Sequence, residues 1–365
     1  MSGHDDTPRA GLVNSMATFY GYQWIFLRAL FRAVSERFGA EGLSILEKGF
    51  RRYGYYRGQY LRDRPETFAE GRDALSLVRN WDTGDYALAA LHTAFEFQGS
   101  ASRVAVTFPC VPGSEYFYSR DGGEVLGLFW PNFLAGVAEG YDEATGVEYV
   151  DISLDPHAPW QLAWTYRGAP EDVQPTPFQG VFTQPARVIQ LTRRTIGVFA
   201  ALQMYVAREL IQAFDASGEK AVREASYAFG AERGSAIREQ HLKEDVPINF
   251  KSFFDGLQER DPVESIFVYR GERHISPGIF QIDCTYCPLA EVWAEEGGKG
   301  LALGYMFDME NHRGLVESYH PGAVVRWETV KPRGDNTCKF RFLIPELVTE
   351  DDPDWAQPKQ RQQDR

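Results

Sequence analysis

Apolar side chains recur at helical spacing in two separate parts of the chain, residues 18–38 and residues 196–214. Residues three and four positions apart lie on the same face of a helix, so each segment is predicted to be an amphipathic helix. The apolar positions are Trp24, Leu27, Leu30, Phe31 and Val34 in the first segment, and Phe199, Leu202, Tyr205, Val206 and Leu210 in the second.

The segments that follow these two helices resemble each other. Residues 38–64 align without a gap on residues 214–240, at a constant offset of 176 positions. Further along, Cys110 and Cys287, and Tyr141 and Tyr319, keep nearly the same offset. We therefore interpret the chain as two diverged copies of one unit. The identical pairs are Phe38/Phe214, Ala40/Ala216, Gly42/Gly218, Gly54/Gly230, Arg57/Arg233, Gly58/Gly234 and Arg62/Arg238.

Two glycines stand one helical turn apart in each copy, Gly54 and Gly58 in the first and Gly230 and Gly234 in the second. A glycine inside a helix costs about 1 kcal/mol relative to alanine. Its presence in both copies therefore indicates that another helix packs closely there, with a ligand contact as the alternative. The neighbouring Arg233 is a candidate to bind a substrate carboxylate through two parallel hydrogen bonds, or to form a structural salt bridge.

Segments rich in β-branched and aromatic residues follow each helix pair, with one further helix among them. The pattern predicts an α+β fold made of two tandem copies of a helix pair plus a small antiparallel sheet. We assign residues 1–168 to the first copy, 169–187 to a proline-rich linker, 188–348 to the second copy and 349–365 to a disordered tail. Predicted strands are 103–108, 149–154, 162–166, 280–283, 324–330 and 338–343, and predicted helices are 127–139 and 303–318.

Composition excludes several classes of function. The 365-residue chain is 44% hydrophobic and has a formal net charge of −13, so it should repel nucleic acid. Charged residues interrupt its longest apolar stretches well short of a membrane span, and no secretory signal is visible at the N-terminus. We expect a cytoplasmic protein with a small-molecule substrate, no membrane partner and a possible homo-oligomeric state.

Cys284 and Cys287 form a C-x-x-C motif, which is found in zinc sites and in redox pairs. A structural zinc site needs two further ligands at close spacing, which the sequence lacks, so we expect no metal and no cofactor. Cys287 precedes a proline, as its counterpart Cys110 nearly does, between a strand and a helix start where amide dipoles favour a thiolate. It is a candidate nucleophile, or a small residue that packs well at a turn.

Asp308 and His312 are four residues apart in a predicted helix and therefore share a face. A histidine beside a carboxylate can act as a general base, although a surface pair of this kind is also common without any catalytic role. We take both residues as acid/base candidates.

The second copy resembles the L-2-amino-thiazoline-4-carboxylic acid hydrolase family. The resemblance is carried by Cys287-Pro288, by Asp308 after a short helix, and by the ending Gly334-Asp335-x-x-Cys338-x-Phe340, within the stretches CPLAEVWAEEGG, LGYMFDMENHRGLVESYHPG and RGDNTCKFRF. Met306 and Phe307 stand where the family has a second cysteine. The first copy retains Cys110 but has Trp130 near the Asp308 position and Trp160 near the Cys338 position.

The resemblance implies a hydrolase that opens a small cyclic substrate at a carbon–nitrogen bond. The alternative is a non-catalytic small-molecule binding or sensory protein, which the absence of the second family cysteine favours. The expected catalytic residues are Cys287, Asp308 and His312, and the expected substrate-binding residues are Arg233, Tyr319, Trp130 and Cys110.

Overall fold

The fold is described from a computed structural model. It covers residues 7–63, 72–80, 96–108, 121–151, 159–169, 185–260, 268–269 and 273–356. The chain divides into two compact units, Met1–Val222 and Arg223–Arg365. The division falls inside a long helix and not in the predicted linker, most of which lies outside the described residues.

The first unit contains helices α1 (Thr7–Asp63), α2 (Ala74–Asn80) and α3 (Asp121–Tyr141), and the first part of α4 (Pro185–Lys243). Its strands are β1 (Glu96–Gly99), β2 (Arg103–Phe108), β3 (Thr145–Asp151) and β4 (Trp160–Tyr166). They form an antiparallel sheet in the order β1-β2-β4-β3. The predicted strand at 103–108 is confirmed, and the other two predicted strands are found with shifted ends.

Helices α1 and α4 pack against each other within the first unit. Phe26 and Phe199, from the two predicted apolar faces, meet edge to face with ring centroids 5.8 Å apart. A Cβ on Gly49 would lie 3.0 Å from the Cα of Val206, so the two backbones approach closely there. The amphipathic pattern of residues 18–38 and 196–214 therefore marks faces that are buried, because Trp24, Leu30, Leu202 and Leu210 are all at most 1% exposed.

The second unit contains the last part of α4 and helices α5 (Phe250–Arg260), α6 (Pro288–Glu295) and α7 (Gly297–Tyr319). Its antiparallel sheet has the order β5-β7-β9-β8, with β6 paired to β7. One face of this sheet and α7 enclose a core that includes Phe280, Val316, Tyr319 and Phe342. The strands are β5 (Val268–Tyr269), β6 (His274–Ser276), β7 (Ile279–Tyr286), β8 (Val324–Thr329) and β9 (Cys338–Leu343).

The paired glycines lie where two helices cross. A Cβ on Gly54 would lie 2.1 Å from the carbonyl oxygen of Phe133 on α3, and a Cβ on Gly230 would lie 1.9 Å from that of Asn311 on α7. No side chain fits at such distances, so only glycine permits these crossings. Close helix packing, the first interpretation of the sequence, is what the structure shows.

The predicted α+β class is confirmed, with helices and two small antiparallel sheets. In both units the strands occur in the same spatial order, and a helix pair precedes each sheet. The glycine crossings also recur at corresponding places. These correspondences support the interpretation of two diverged copies, which remains a proposal.

The C-terminal segment packs on the second sheet as far as Ala356, which differs from the disordered tail expected from residue 349. Ala356 is 3% exposed and contacts the cluster of Ile279 and Leu343. The guanidinium of Arg341 lies 3.7 Å from the ring centroid of Trp355. The polar composition of this segment concealed its two anchoring residues, and residues 357–365 lie outside the described residues.

In the described part of the chain, no helix combines the length and apolarity that a membrane crossing requires.

Candidate active site

Three cysteines gather at one end of the sheet in the second unit. Cys284 on β7 and Cys338 on β9 face each other across the two antiparallel strands. Cys287 follows β7 directly and is the residue before Pro288, the first residue of α6. All three are free and buried. We call Cys284, Cys287 and Cys338 the thiol cluster.

The three sulfur atoms have different surroundings. The Cys284 thiol donates a hydrogen bond to the carbonyl oxygen of Tyr286 (3.0 Å), whereas the Cys338 sulfur accepts one from the backbone N–H of Lys331 (3.3 Å). Burial raises the pKa of Cys284 and Cys338 to about 12, and raises that of Cys287 well above its ordinary value. Without a substrate, all three are therefore neutral thiols near pH 7.

Asp308 on α7 is the acid of the site. It is 7% exposed, and burial raises its pKa to about 7. Its charge further raises the pKa of each thiol in the cluster, which places its carboxyl group close to all three. Within the described residues, no group donates a hydrogen bond to this carboxyl. A buried carboxyl of this kind, half ionised at neutral pH, can both accept and donate a proton.

His312 lies one helical turn beyond Asp308 but is a poor base. Its Nδ1 lies 2.8 Å from the backbone oxygen of Asp308, and its ring packs against Trp327, Phe340 and Phe342. Burial lowers its pKa to about 4, so the ring is neutral at pH 7 and accepts a proton only weakly. The Nδ1–H donates to the carbonyl of its own helix, which fixes the ring in the aromatic layer.

Arg233 reaches the same helix from α4. Its guanidinium lies 3.4 Å from Oδ1 of Asn311, a buried residue between Asp308 and His312 on α7, and stacks over Phe229. The arginine also lowers the pKa of His312, after burial. The structure thus brings Arg233 beside α7 near the candidate acid, where it remains a proposal for carboxylate binding.

Tyr319 belongs to the core of the second unit. It is fully buried, and its hydroxyl donates to the carbonyl oxygen of Asn249 (3.1 Å) and lies 3.0 Å from His241 Nδ1. Both hydrogen-bonding sites of the hydroxyl are thus used inside the core, which argues against the substrate contact expected from the sequence.

The first unit has aromatic rings where the second has its polar cluster. Phe108 and Trp160 face each other on β2 and β4, the strands that correspond to β7 and β9. Trp130 on α3 packs on Trp160 with ring centroids 5.3 Å apart. Trp160 is buried, whereas Phe108 and Trp130 are half-buried, and the role of Trp130 in substrate binding remains a proposal. Cys110 lies outside the described residues.

In the same described residues, no group of three or more His, Cys, Asp and Glu side chains is arranged so that it could hold a metal ion. The C-x-x-C motif therefore does not assemble a four-ligand site with Cys338 and Asp308. Its two cysteines lie at the end of a strand and at the residue before a helix, and their sulfurs face the carboxyl of α7.

A thiol is activated as a nucleophile by an adjacent general base, and the Asp308 carboxylate lies close enough to the three thiols to be a candidate for that base. Residues 196–342, which include the whole cluster, match the model of the family described as L-2-amino-thiazoline-4-carboxylic acid hydrolase. The resemblance noted in the sequence is thereby confirmed over this segment, and a hydrolase-like function is supported. No curated protein and no solved structure is significantly similar to the chain.

The sequence singled out Cys287 and Asp308, but not the position of Cys284 and Cys338 beside Asp308 or the contact of the Lys331 amide with Cys338. Cys284 was part of a recognised motif, and Cys338 of a family-like ending. Only the register of β7 and β9 shows that the two cysteines face each other. The sequence gives no signal for the contact between the Lys331 amide and Cys338, because a backbone group makes this contact irrespective of its side chain.

Proposed function

We propose that this protein hydrolyses a small cyclic substrate at a carbon–nitrogen bond, with a thiol of the cluster as nucleophile and Asp308 as acid and base. Cys287, the thiol that the sequence favours, is part of this cluster. The observation that carries the proposal is the contrast between the two units. At corresponding places, one has Phe108, Trp130 and Trp160, and the other has thiols and a carboxyl.

This contrast matters because the burial of a polar group lowers stability unless the group forms hydrogen bonds. A buried carboxyl that lacks a hydrogen-bonding partner costs several kcal/mol relative to an apolar side chain. In the first unit, aromatic residues occupy the strands that we propose as the counterparts of β7 and β9. The Asp308 side chain is therefore better explained by chemistry than by packing, since residues that lower stability are concentrated at functional sites.

The substrate we propose is a small ring that reaches the thiol cluster and Asp308. We propose that Arg233, whose guanidinium contacts Asn311 on α7, binds a carboxylate on such a ring. The family description supplies the first compound to test, L-2-amino-thiazoline-4-carboxylic acid, which has both a ring carbon–nitrogen bond and a carboxylate.

The test is hydrolysis of that compound and of a panel of other cyclic amidines, lactams and cyclic diketones by the wild-type protein. We expect turnover of at least one compound, and its loss by several orders of magnitude in Asp308→Ala. Asp351→Ala, at an exposed position outside the site, is the control and should keep wild-type activity. Binding of a ring without turnover would instead favour the non-catalytic binding protein.

A further inference from the structure

The loop that joins β8 and β9, residues 330–337, is held in one shape by its own hydrogen bonds. The Asp335 carboxylate accepts the backbone N–H of Val330 (2.7 Å), and the N–H of Gly334 donates to the carbonyl of Lys331 (2.8 Å). Gly334 has φ 96°, in the left-handed region that glycine occupies without strain. The Gly-Asp of the family-like ending therefore has a structural explanation, since both residues shape this loop.

The consequence of this shape is the position of one amide. The N–H of Lys331 points at the sulfur of Cys338 from 3.3 Å. A donor on sulfur stabilises the thiolate more than the thiol, because a hydrogen bond to a charged acceptor is about twice as strong. The Lys331 side chain, whose Nζ lies 3.6 Å from Glu291 Oε1 on α6, adds a positive charge nearby. The Cys284 S–H instead donates to the carbonyl oxygen of Tyr286, although the Lys331 charge and a backbone hydrogen bond with Tyr286 also lower the pKa of Cys284.

We propose that Cys338 is the thiol that attacks the substrate, and that Asp335 and the Lys331 amide are the positioning groups that make its sulfur nucleophilic. This inference rests on the proposed function and names its reacting atom. It also gives the three residues of the family-like ending a common explanation. Gly334 and Asp335 fix the conformation of the loop, and the loop brings the Lys331 amide to the sulfur of Cys338.

The reaction then balances with water as the only co-reactant. The Asp308 carboxylate takes the proton of Cys338, and the sulfur forms a bond to the ring carbon next to nitrogen. The carbon–nitrogen bond breaks, and the protonated Asp308 gives its proton to the leaving nitrogen. Water then adds to the same carbon, Asp308 takes a proton from it, and the carbon–sulfur bond breaks as Asp308 gives this proton to the sulfur, which restores the Cys338 thiol and the Asp308 carboxylate.

Tryptic peptides distinguish the thiols directly. Cleavage after Arg333 and Lys339 releases GDNTCK, which holds Cys338, whereas Cys284 and Cys287 share the peptide of residues 274–299. Wild-type protein quenched with acid during turnover of the best compound of the panel should carry the substrate-derived mass on GDNTCK. A mass on residues 274–299 would overturn the proposal in favour of Cys287 or Cys284.

A matched pair of variants isolates the amide. Lys331→Ala removes the charge and keeps the N–H, whereas Lys331→Pro removes both. Proline suits this position because Lys331 begins a 3-10 helix and the preceding Val330 is extended. We expect kcat of Lys331→Pro to fall about 10- to 100-fold below that of Lys331→Ala, the effect of one hydrogen bond to a charged group. Equal kcat in two folded variants would show that the amide has no such role.

Asp335 gives the same test from a second residue. Asp335→Ala should lower kcat with little change in KM, and Asp335→Asn, which keeps an oxygen acceptor for the Val330 amide, should recover most of it. A purely structural role would lower thermal stability without this recovery of kcat. Lys339→Met is the control, because Lys339 lies next to Cys338 on the opposite face of β9, near Asp283 and Glu328, and activity should be unchanged.

If no compound of the panel is hydrolysed, the proposed function is contradicted, but the assignment of Cys338 can still be tested by alkylation with iodoacetamide. The native protein should still be alkylated faster on GDNTCK than on residues 274–299, with a rate that rises with pH as the thiolate forms. In Lys331→Pro the Cys338 rate should fall to that of the other thiols. Equal rates in the wild-type protein would contradict the assignment of Cys338.

Discussion

Phe38 and Phe214 stack ring on ring, with centroids 3.9 Å apart and planes 4° from parallel. They are the first identical pair in the alignment of the two copies, and each directly precedes a break in its helix. Gly39 has φ 56° and ψ −139°, and Asp215 has φ 47° and ψ −128°. The two long helices thus break at corresponding residues with nearly the same backbone angles, and the equivalent rings contact each other at the breaks.

The break at Asp215 is predicted to be strained. A residue with a Cβ pays about 1–3 kcal/mol in this backbone region, which glycine occupies readily. Asp215→Gly should therefore raise the free energy of unfolding by about 1 kcal/mol, measured by urea denaturation. Gly39→Ala should lower it by a similar amount, because a Cβ at Gly39 meets no atom within 4 Å and only the backbone strain remains. Opposite signs for the two variants are the expected result.

Much of the fold could be predicted because the apolar periodicity is strong. The amphipathic segments, the glycine pairs and most strands were visible, since each reflects a local requirement of helix or sheet. The ends of α1 and α4 were not, because the breaks at Gly39 and Asp215 depend on tertiary contacts. Helix α5 and strand β1 were also missed, since short elements carry few periodic residues.

The site was predictable only in part for a similar reason. Asp308 was visible through its spacing and the family resemblance, but its burial depends on the sheet that covers it. His312 was expected to be a base, and only the aromatic layer around it shows why its pKa is low. Tyr319 is identical to Tyr141 in the alignment, and only the structure shows that it lies in the core with its hydroxyl bonded to the carbonyl of Asn249.

The crossing of α4 and α7 should not tolerate a methyl group. A Cβ on Gly314 would lie 2.1 Å from the carbonyl oxygen of Tyr227, so Gly314→Ala must push the helices apart. We expect a loss of several kcal/mol in the free energy of unfolding, together with weaker activity because α7 carries Asp308. Gly298→Ala, in the first turn of the same helix with open space around its Cβ, should leave stability unchanged or raise it slightly.

Asp352 is predicted to hold the C-terminal segment on the sheet. Its Oδ1 lies 3.1 Å from His274 Nε2, and its Oδ2 accepts the backbone N–H of Thr349 (2.8 Å). Burial alone would raise the pKa of Asp352, but the hydrogen bonds together lower it by a larger amount, so the net shift is downward. The stabilisation is therefore present above the ordinary carboxyl pKa and is lost as the pH falls below it.

Asp352→Ala should accordingly lower the free energy of unfolding at pH 7 by about 1–3 kcal/mol, and by less at pH 3, because the stabilisation decreases once the pH falls below the ordinary carboxyl pKa of 3.8. The exposed Asp351→Ala is the matched control and should change stability little. Chemical denaturation at the two pH values checks both. A loss that is the same at pH 3 and pH 7 would show that the charge of Asp352 is not what holds the segment.

Asp308 should lower stability at the pH at which it serves catalysis. Its pKa is raised from 3.8 to about 7 in the folded protein, so the folded state binds a proton more tightly than the unfolded chain. The stabilisation that comes from this tighter proton binding is complete below pH 3.8 and is lost as the pH rises through 7. Asp308→Asn, which has nearly the same shape and no charge, avoids the loss. Its stability relative to the wild-type protein should rise between pH 5 and pH 8 by at most about 3 kcal/mol, because each pH unit between 5 and the pKa of about 7 contributes about 1.4 kcal/mol.

As the pH rises, the wild-type protein should lose stability relative to Asp308→Asn but gain hydrolytic activity. Wild-type activity should rise with pH through about 7, as the carboxylate that accepts the thiol proton forms, whereas Asp308→Asn should be inactive at every pH. Denaturation curves and initial rates, both measured from pH 5 to pH 8, test the two expectations together. A variant whose stability follows that of the wild-type protein across this range would show that Asp308 is not a buried group with a raised pKa. The assignment of Asp308 as the base would then fail as well.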